Sequence, residues 1–158
     1  MKAFVSTYVN KLDKKGRVSV PASFRAALGS NSFFAYESLN APAIDAIPAD
    51  GIEQLIEQRR TQMLQSGDFA RALMGGGNDT EVETILGMIK ELPFDSEGRI
   101  VLPKPLVDFA GITEEVAFVG RGHRFQIWAP AVFNRAQEQA REKLRARLRD
   151  GAPPEGSR

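Results

Sequence analysis

The chain has 158 residues, of which 42% are hydrophobic and 26% charged, the balance of a soluble globular protein rather than a disordered one. No apolar run reaches the roughly 18 residues of a membrane span, and the start, Met1-Lys2-Ala3-Phe4-Val5, lacks a signal-peptide core. Cysteine is absent, which excludes a disulfide framework and a thiolate metal site and suits a reducing cytoplasm; the net charge of +1 hides an uneven distribution.

In chain order, the first strong signal is Leu12-Asp13-Lys14-Lys15-Gly16-Arg17-Val18-Ser19-Val20-Pro21. Asp13 and Gly16 are turn formers, and Gly16 can take positive φ where the chain reverses. Arg17–Val20 is short and partly β-branched, as expected of a buried strand. Pro21 ends it and presets φ for the first turn of a short helix, Ala22–Leu28, which Gly29 stops. Phe33–Tyr36 is again strand-like. Pro42 and Pro48 mark an irregular connection, and Ile52, Leu55, Ile56 and Met63 then pattern an amphipathic helix over Ile52–Gln65. Gly75-Gly76-Gly77-Asn78-Asp79 reads as a loop, and Thr80–Lys90 fits either a helix or a strand.

The opening signal returns 82 positions later as Phe94-Asp95-Ser96-Glu97-Gly98-Arg99-Ile100-Val101-Leu102-Pro103. The match extends through the following helix, with Phe24 on Leu106, Leu28 on Ala110 and Gly29 on Gly111. One Asp-x-x-Gly-Arg could be chance, but two in the same flanking context mark related modules. The second copy predicts strand Arg99–Leu102, helix Lys104–Ala110, strand Val116–Val119, a turn at Gly120–His123 and strand Phe125–Trp128. Pro130 opens a last helix with Phe133, Ala136, Ala140, Leu144 and Leu148 on one face, and Gly151–Arg158 reads as a disordered tail. The expected organisation is a first module at 1–50, a helical linker at 51–91, a second module at 92–135, and a C-terminal helix and tail at 136–158.

The paired motif, with Pro21-x-x-Phe24-Arg25 after one copy and Gly98-Arg99-Ile100-x-Leu102-Pro103 in the other, resembles the MraZ transcriptional regulators. Ala110-Gly111-Ile112, Val119-Gly120 and Phe125-Gln126-Ile127-Trp128 add to the likeness. The resemblance implies a mainly β, α+β fold: two AbrB-like swapped-hairpin β-barrel modules related by a pseudo-twofold, with linking and C-terminal helices. It also implies a ring-forming homo-oligomer that binds short direct repeats in double-stranded promoter DNA upstream of the division and cell-wall gene cluster. The family's DNA-contacting Asp-x-x-x-Arg motif maps onto Asp13 and Arg17, and onto Asp95 and Arg99. Two positions depart from the family pattern: Val107, where an Arg often follows the helix leucine, and Gln126, where Glu precedes Ile-Trp.

The candidate site is therefore Asp13, Lys14, Lys15, Arg17, Asp95 and Arg99. Lysines and arginines on an exposed turn neutralise phosphates and release counterions, and arginine also grips guanine through two parallel hydrogen bonds. Asp13 repels DNA, so its expected role is to hold Arg17 or cap the turn. The first loop carries net charge +2 from Asp13, Lys14, Lys15 and Arg17, while Asp95, Glu97 and Arg99 give the second −1. The second loop is as consistent with a purely structural role as with direct contact.

Other charged features have plainer readings. Arg121, His123 and Arg124 suit a wet hairpin turn, and the basic last helix suits a solvated face around a small apolar stripe. His123 is the only histidine, so one chain can assemble no histidine metal cluster. Gly75–Gly77 lacks the Gly-Lys-Ser/Thr ending of a phosphate loop, and the acids Asp95 and Glu97 sit on a turn with no evident pocket. The expectation is a non-enzymatic protein without cofactor or metal, cytoplasmic and nucleoid-associated, acting as a repressor. The competing reading is an antitoxin-like AbrB interaction module that binds a protein partner.

Overall fold

The computed structural model describes residues 3–66 and 80–151. The expected Gly75–Gly77 loop lies outside those residues, as does all of the expected tail except Gly151. The first module supplies strands β1 (Thr7–Lys11) and β2 (Arg17–Ser19), helix α1 (Ala22–Leu28), and strands β3 (Ser32–Glu37) and β4 (Ile44–Pro48). Helices α2 (Gly51–Ser66) and α3 (Thr80–Met88) lead into the second module. That module repeats the order as β5 (Lys90–Pro93), β6 (Arg99–Val101), α4 (Lys104–Ala110), β7 (Glu115–Gly120) and β8 (Phe125–Trp128), and helix α5 (Pro130–Arg149) follows. This is an α+β fold whose modules are small strands with short helices.

Both short helices form where the sequence places them. Pro21 and Pro103 stand immediately before them, as N-caps with φ of −52° and −58°. Their carbonyls accept the first helical N–H groups, Phe24 and Arg25 in one copy, Leu106 and Val107 in the other, so the missing proline N–H costs nothing. Gly29 and Gly111 close the helices at φ of 59° and 67°, a left-handed geometry that side chains with a Cβ resist.

The modules exchange strands. The main sheet has six strands in the order β1-β7-β8-β4-β3-β5, and β2 pairs with β6 in a separate two-stranded ribbon. Reading the six-stranded order from either end meets equivalent strands, so a pseudo-twofold passes between β4 and β8. Each module's first strand joins the other module's hairpin: β1 pairs with β7, and β5 with β3. This is the swapped, pseudo-twofold arrangement that the family resemblance implies.

Alternation along the central strands divides the sheet into two faces. Phe33, Ala35, Ile44, Ala46, Val116, Phe118, Phe125 and Ile127 point into the main core, which the ribbon closes with Val18 and Ile100 and the short helices close with Phe24, Leu28, Leu106 and Ala110. Phe125 is its hub, with ring centroids of Phe24, Phe4 and Phe33 at 5.0, 5.2 and 5.2 Å. The opposite face buries Ala43, Ala117, Val119 and Trp128 under Phe133 of α5. Ala136 packs partly beside Phe133, but the far end of that helix's apolar stripe does not pack here: Leu144 and Leu148 are exposed. Likewise, α2 leaves Ile56 exposed, and the side chain of Met63 lies outside the described set.

Two regions correct the sequence reading. The stretch between Pro42 and Pro48 is not an irregular connection, because Ile44–Pro48 forms an interior strand of the sheet. Pro48 is tolerated as its last residue, and Asp45 breaks the apolar run that would have announced it. Thr80–Lys90 resolves into helix to Met88, with Lys90 opening β5.

Asp45 has a reason to be there. It lies directly across from Gln126 at the pseudo-twofold, and both are buried. Gln126 Nε2 donates to Asp45 Oδ1 at 2.8 Å, while Gln126 Oε1 accepts from Trp128 Nε1 and Arg121 Nε, each at 3.0 Å. Arg124 Nε stands 3.7 Å from Asp45. A glutamate at 126 would set a second carboxylate against Asp45 with no N–H to offer it, so the departure from Glu has a physical cause. Arg121 and Arg124 are therefore not merely a wet charged turn. The Arg121 guanidinium has its pKa lowered, first by partial desolvation and then by the like charge of Arg124.

Candidate nucleic-acid interface

The two Asp-x-x-x-Arg loops adopt one geometry. In the first, Asp13 N–H donates to the Arg17 carbonyl at 2.9 Å, and Gly16 N–H to the Asp13 carbonyl at 3.0 Å. Asp13 Oδ1 accepts the backbone N–H groups of Lys15 and Arg17, at 2.9 and 2.8 Å, and Oδ2 accepts Arg17 Nε at 2.6 Å. The second repeats this: Asp95 Oδ1 accepts from the backbones of Glu97 and Arg99, and Oδ2 accepts Arg99 Nε at 2.9 Å. Gly16 and Gly98 supply the positive φ, 80° and 75°, that the reversal requires.

The expected role of Asp13 is thus visible as geometry. The carboxylate closes the turn and grips the arginine by Nε, which leaves the outer edge of the guanidinium directed away from it. The Arg17 backbone N–H lowers the Asp13 pKa below the ordinary carboxylate value, reinforced by the Arg17 side chain and the Lys15 N–H. Asp95 is lowered in the same way, with the Arg99 N–H first, and Arg99 is raised chiefly by its hydrogen bond to Asp95.

The β2–β6 ribbon brings the loops together. Val20 N–H donates to Gly98 O at 3.2 Å and Leu102 N–H to Gly16 O at 2.8 Å, so each strand ends on the other module's loop. Arg17 lies across from Val101, and Ser19 across from Arg99. Directly opposed residues share a face, so these four side chains stand on the ribbon's outer side while Val18 and Ile100 are buried on the inner side. Lys14, Lys15, Ser19 and Val101 are exposed, and Arg17 and Arg99 are half-buried at their tethered ends. All six predicted site residues therefore flank or occupy one small surface.

Sequence reasoning missed two contributors. Arg25 of α1 donates from Nε to the Val20 carbonyl at 3.1 Å and lies over the second loop, where a methyl added to Gly98 would come within 2.6 Å of its guanidinium. Its repeat equivalent is Val107, which packs on the core instead, so no arginine covers the first loop. Val101 is the other, 57% exposed beside Arg17. The repeat alignment pairs it with Ser19, a polar-for-apolar exchange on an outward strand position that was readable but uninterpretable without the register. Arg99 also meets a second carboxylate, with Glu97 Oε2 3.3 Å from its Nη2.

A family model described as "MraZ protein, putative antitoxin-like" matches residues 85–151. The transcriptional regulator MraZ of Rickettsia canadensis is 42% identical over 150 residues, covering 90% of this chain and 95% of its own. Those of Pelagibacter ubique, 43% identical with 89% and 86% covered, and Methylocella silvestris, 40% identical with 92% and 85% covered, are similar in extent. No helix among the described residues is long and apolar enough to cross a membrane. With identity of this level over about nine-tenths of its length, the chain belongs to the MraZ family of transcriptional regulators.

Proposed function

We propose that the chain binds double-stranded promoter DNA through the outer face of the β2–β6 ribbon, with Arg17 as principal reader. The observation that carries this reading is the tethering of Arg17 by Asp13, which fixes a guanidinium on an exposed two-stranded ribbon beside Lys14 and Lys15. A ribbon of this width enters a major groove about 12 Å across, and a preoriented guanidinium meets guanine O6 and N7 there. Lys14 and Lys15 serve the phosphates, and Asp95 and Arg99 form a weaker second contact.

On this reading the modules at 1–50 and 92–135 together build one reading head. The targets are short direct repeats upstream of the division and cell-wall gene cluster, including the chain's own promoter, and the outcome is repression in the cytoplasm at the nucleoid. One small ribbon offers few contacts, so a ring-like homo-oligomer presenting several of them supplies the missing affinity through avidity. The test is an electrophoretic shift assay with DNA from upstream of the chain's own gene, using Arg17→Ala as control. Light scattering after gel filtration tests the assembly, for which more than four subunits are expected and a monomer at micromolar concentration would refute the ring. An antitoxin-like module that binds a protein partner is the second reading, favoured by the exposed Leu144 and Leu148 on α5. A chain that assembles but shifts no DNA would support it.

A further inference from the structure

Val101 has no structural reason to be apolar. Its side chain stands on the outer face of the ribbon, 57% exposed, where it adds nothing to the core. Its partners on that face are Arg17 directly opposite, Ser19 and Arg99, so it is an isolated apolar spot framed by polar groups rather than part of a hydrophobic patch. Its Cγ1 lies 3.8 Å from where a Cβ on Gly16 would stand, which places the methyl over the first loop, next to Arg17. The hydrogen bonds on either side come from Val20 and Leu102, and the Arg17 backbone is engaged with Asp13. The Arg17–Val101 pair is therefore a non-hydrogen-bonded one, in which opposed residues approach to about 4.5 Å between Cα atoms.

We propose that Val101 reads the 5-methyl group of a thymine adjacent to the base held by Arg17. Resting on the DNA-binding reading above, this adds a specificity determinant to it. In the major groove the thymine methyl is the one apolar feature of the base edges, and contact with an apolar side chain is how it is recognised. An arginine and a valine about 4.5 Å apart span neighbouring base pairs, which stack about 3.4 Å apart. The second loop lacks this reader: the repeat equivalent of Val101 is Ser19, which hydrogen-bonds to any base and discriminates little. The two loops then read different sequences, and a thymine beside a guanine is preferred under the first alone.

Replacing thymine by deoxyuridine removes the methyl and leaves base pairing intact. The upstream fragment that the chain binds is synthesised in both forms, and affinities of the wild type, Val101→Ala and Val101→Thr are measured at fixed salt. The wild type should bind the deoxyuridine form about fourfold more weakly per engaged loop, the worth of one buried methyl. Val101→Ala should bind the thymine form more weakly by a similar factor and lose the preference, and Val101→Thr, which keeps one methyl, should retain part of it. Val101 is exposed, so each variant should fold and assemble as the wild type does. Equal wild-type affinity for both forms would overturn the role of Val101 while leaving DNA binding intact. An undiminished preference in Val101→Ala, or loss of assembly in that variant, would overturn it as well. Failure of the wild type to shift either form would instead bring down the DNA-binding reading and this inference with it.

Discussion

The two ribbon loops share a backbone and an Asp–Arg tether and differ in the side chains set around them. Asp, Gly and Arg at equivalent positions reproduce the same hydrogen bonds in both, to within 0.3 Å at the Asp–Arg contact. Around that frame, the first loop carries Lys14 and Lys15 and stands open, whereas the second carries Glu97, which engages Arg99, and lies under Arg25. Duplication preserves the residues that shape a turn, while the residues that decide what the turn meets diverge freely. A repeat therefore argues for shared structure and not, by itself, for shared function.

The sharpest break in the comparison comes from the arginines. Arg17→Ala should weaken binding to the upstream fragment about ten- to hundredfold per engaged loop, the worth of a bidentate base contact. Arg99→Ala should cost less than about tenfold, because Glu97 already occupies part of its guanidinium. Both affinities are measured at one salt concentration after assembly is confirmed; an equal or greater loss for Arg99→Ala would reverse the ranking of the loops.

Charge offers a second lever. Replacing Lys14 and Lys15 by alanine should flatten the dependence of log affinity on log salt by about 0.9 for each phosphate that is no longer neutralised. Glu97→Lys in the second loop should steepen it, turning that loop into a better partner for phosphate. A salt series on the three proteins reads both effects, and an unchanged slope in the double alanine variant would take the first loop off the backbone of the DNA.

The glycines probe the shared frame. Gly16→Ala and Gly98→Ala each force a Cβ into positive φ and should each lower stability by about 1–2 kcal/mol. Beyond that strain, Gly98→Ala should lose about 1 kcal/mol more in thermal unfolding, since the Arg25 side chain over Gly98 must swing aside and give up its hydrogen bond to the Val20 carbonyl. A much larger loss at Gly98 would show Arg25 to be fixed there.

The smallest effect is electrostatic. Asp13 and Asp95 have folded-state pKa values below the ordinary 3.8. Their contribution to loop order is thus fully present above that value and is lost only as the pH falls through the lowered folded-state pKa. Carboxyl NMR titrations should place both midpoints under 3.8, and a midpoint at or above it for Asp13 would argue against the tethered Arg17.

The sequence alone determined the repeat, its paired short helices and their glycine stops, and the identity of both Asp-x-x-x-Arg loops. Those features are local: turn, cap and helix chemistry acts over a few residues, so it is written where it acts. The tertiary structure decided what lies across from what. Asp45 looks like a strand breaker until Gln126, 81 residues away, is found donating to it on the pseudo-twofold. Val101 and Arg25 look like surface detail until the ribbon register sets one beside Arg17 and the other over Gly98. The exchange of β1 and β5 between modules was expected only by resemblance, because no local signal records which strand a chain pairs with. Pairing is settled by the burial of two opposite faces at once, and that burial exists only when both modules are present.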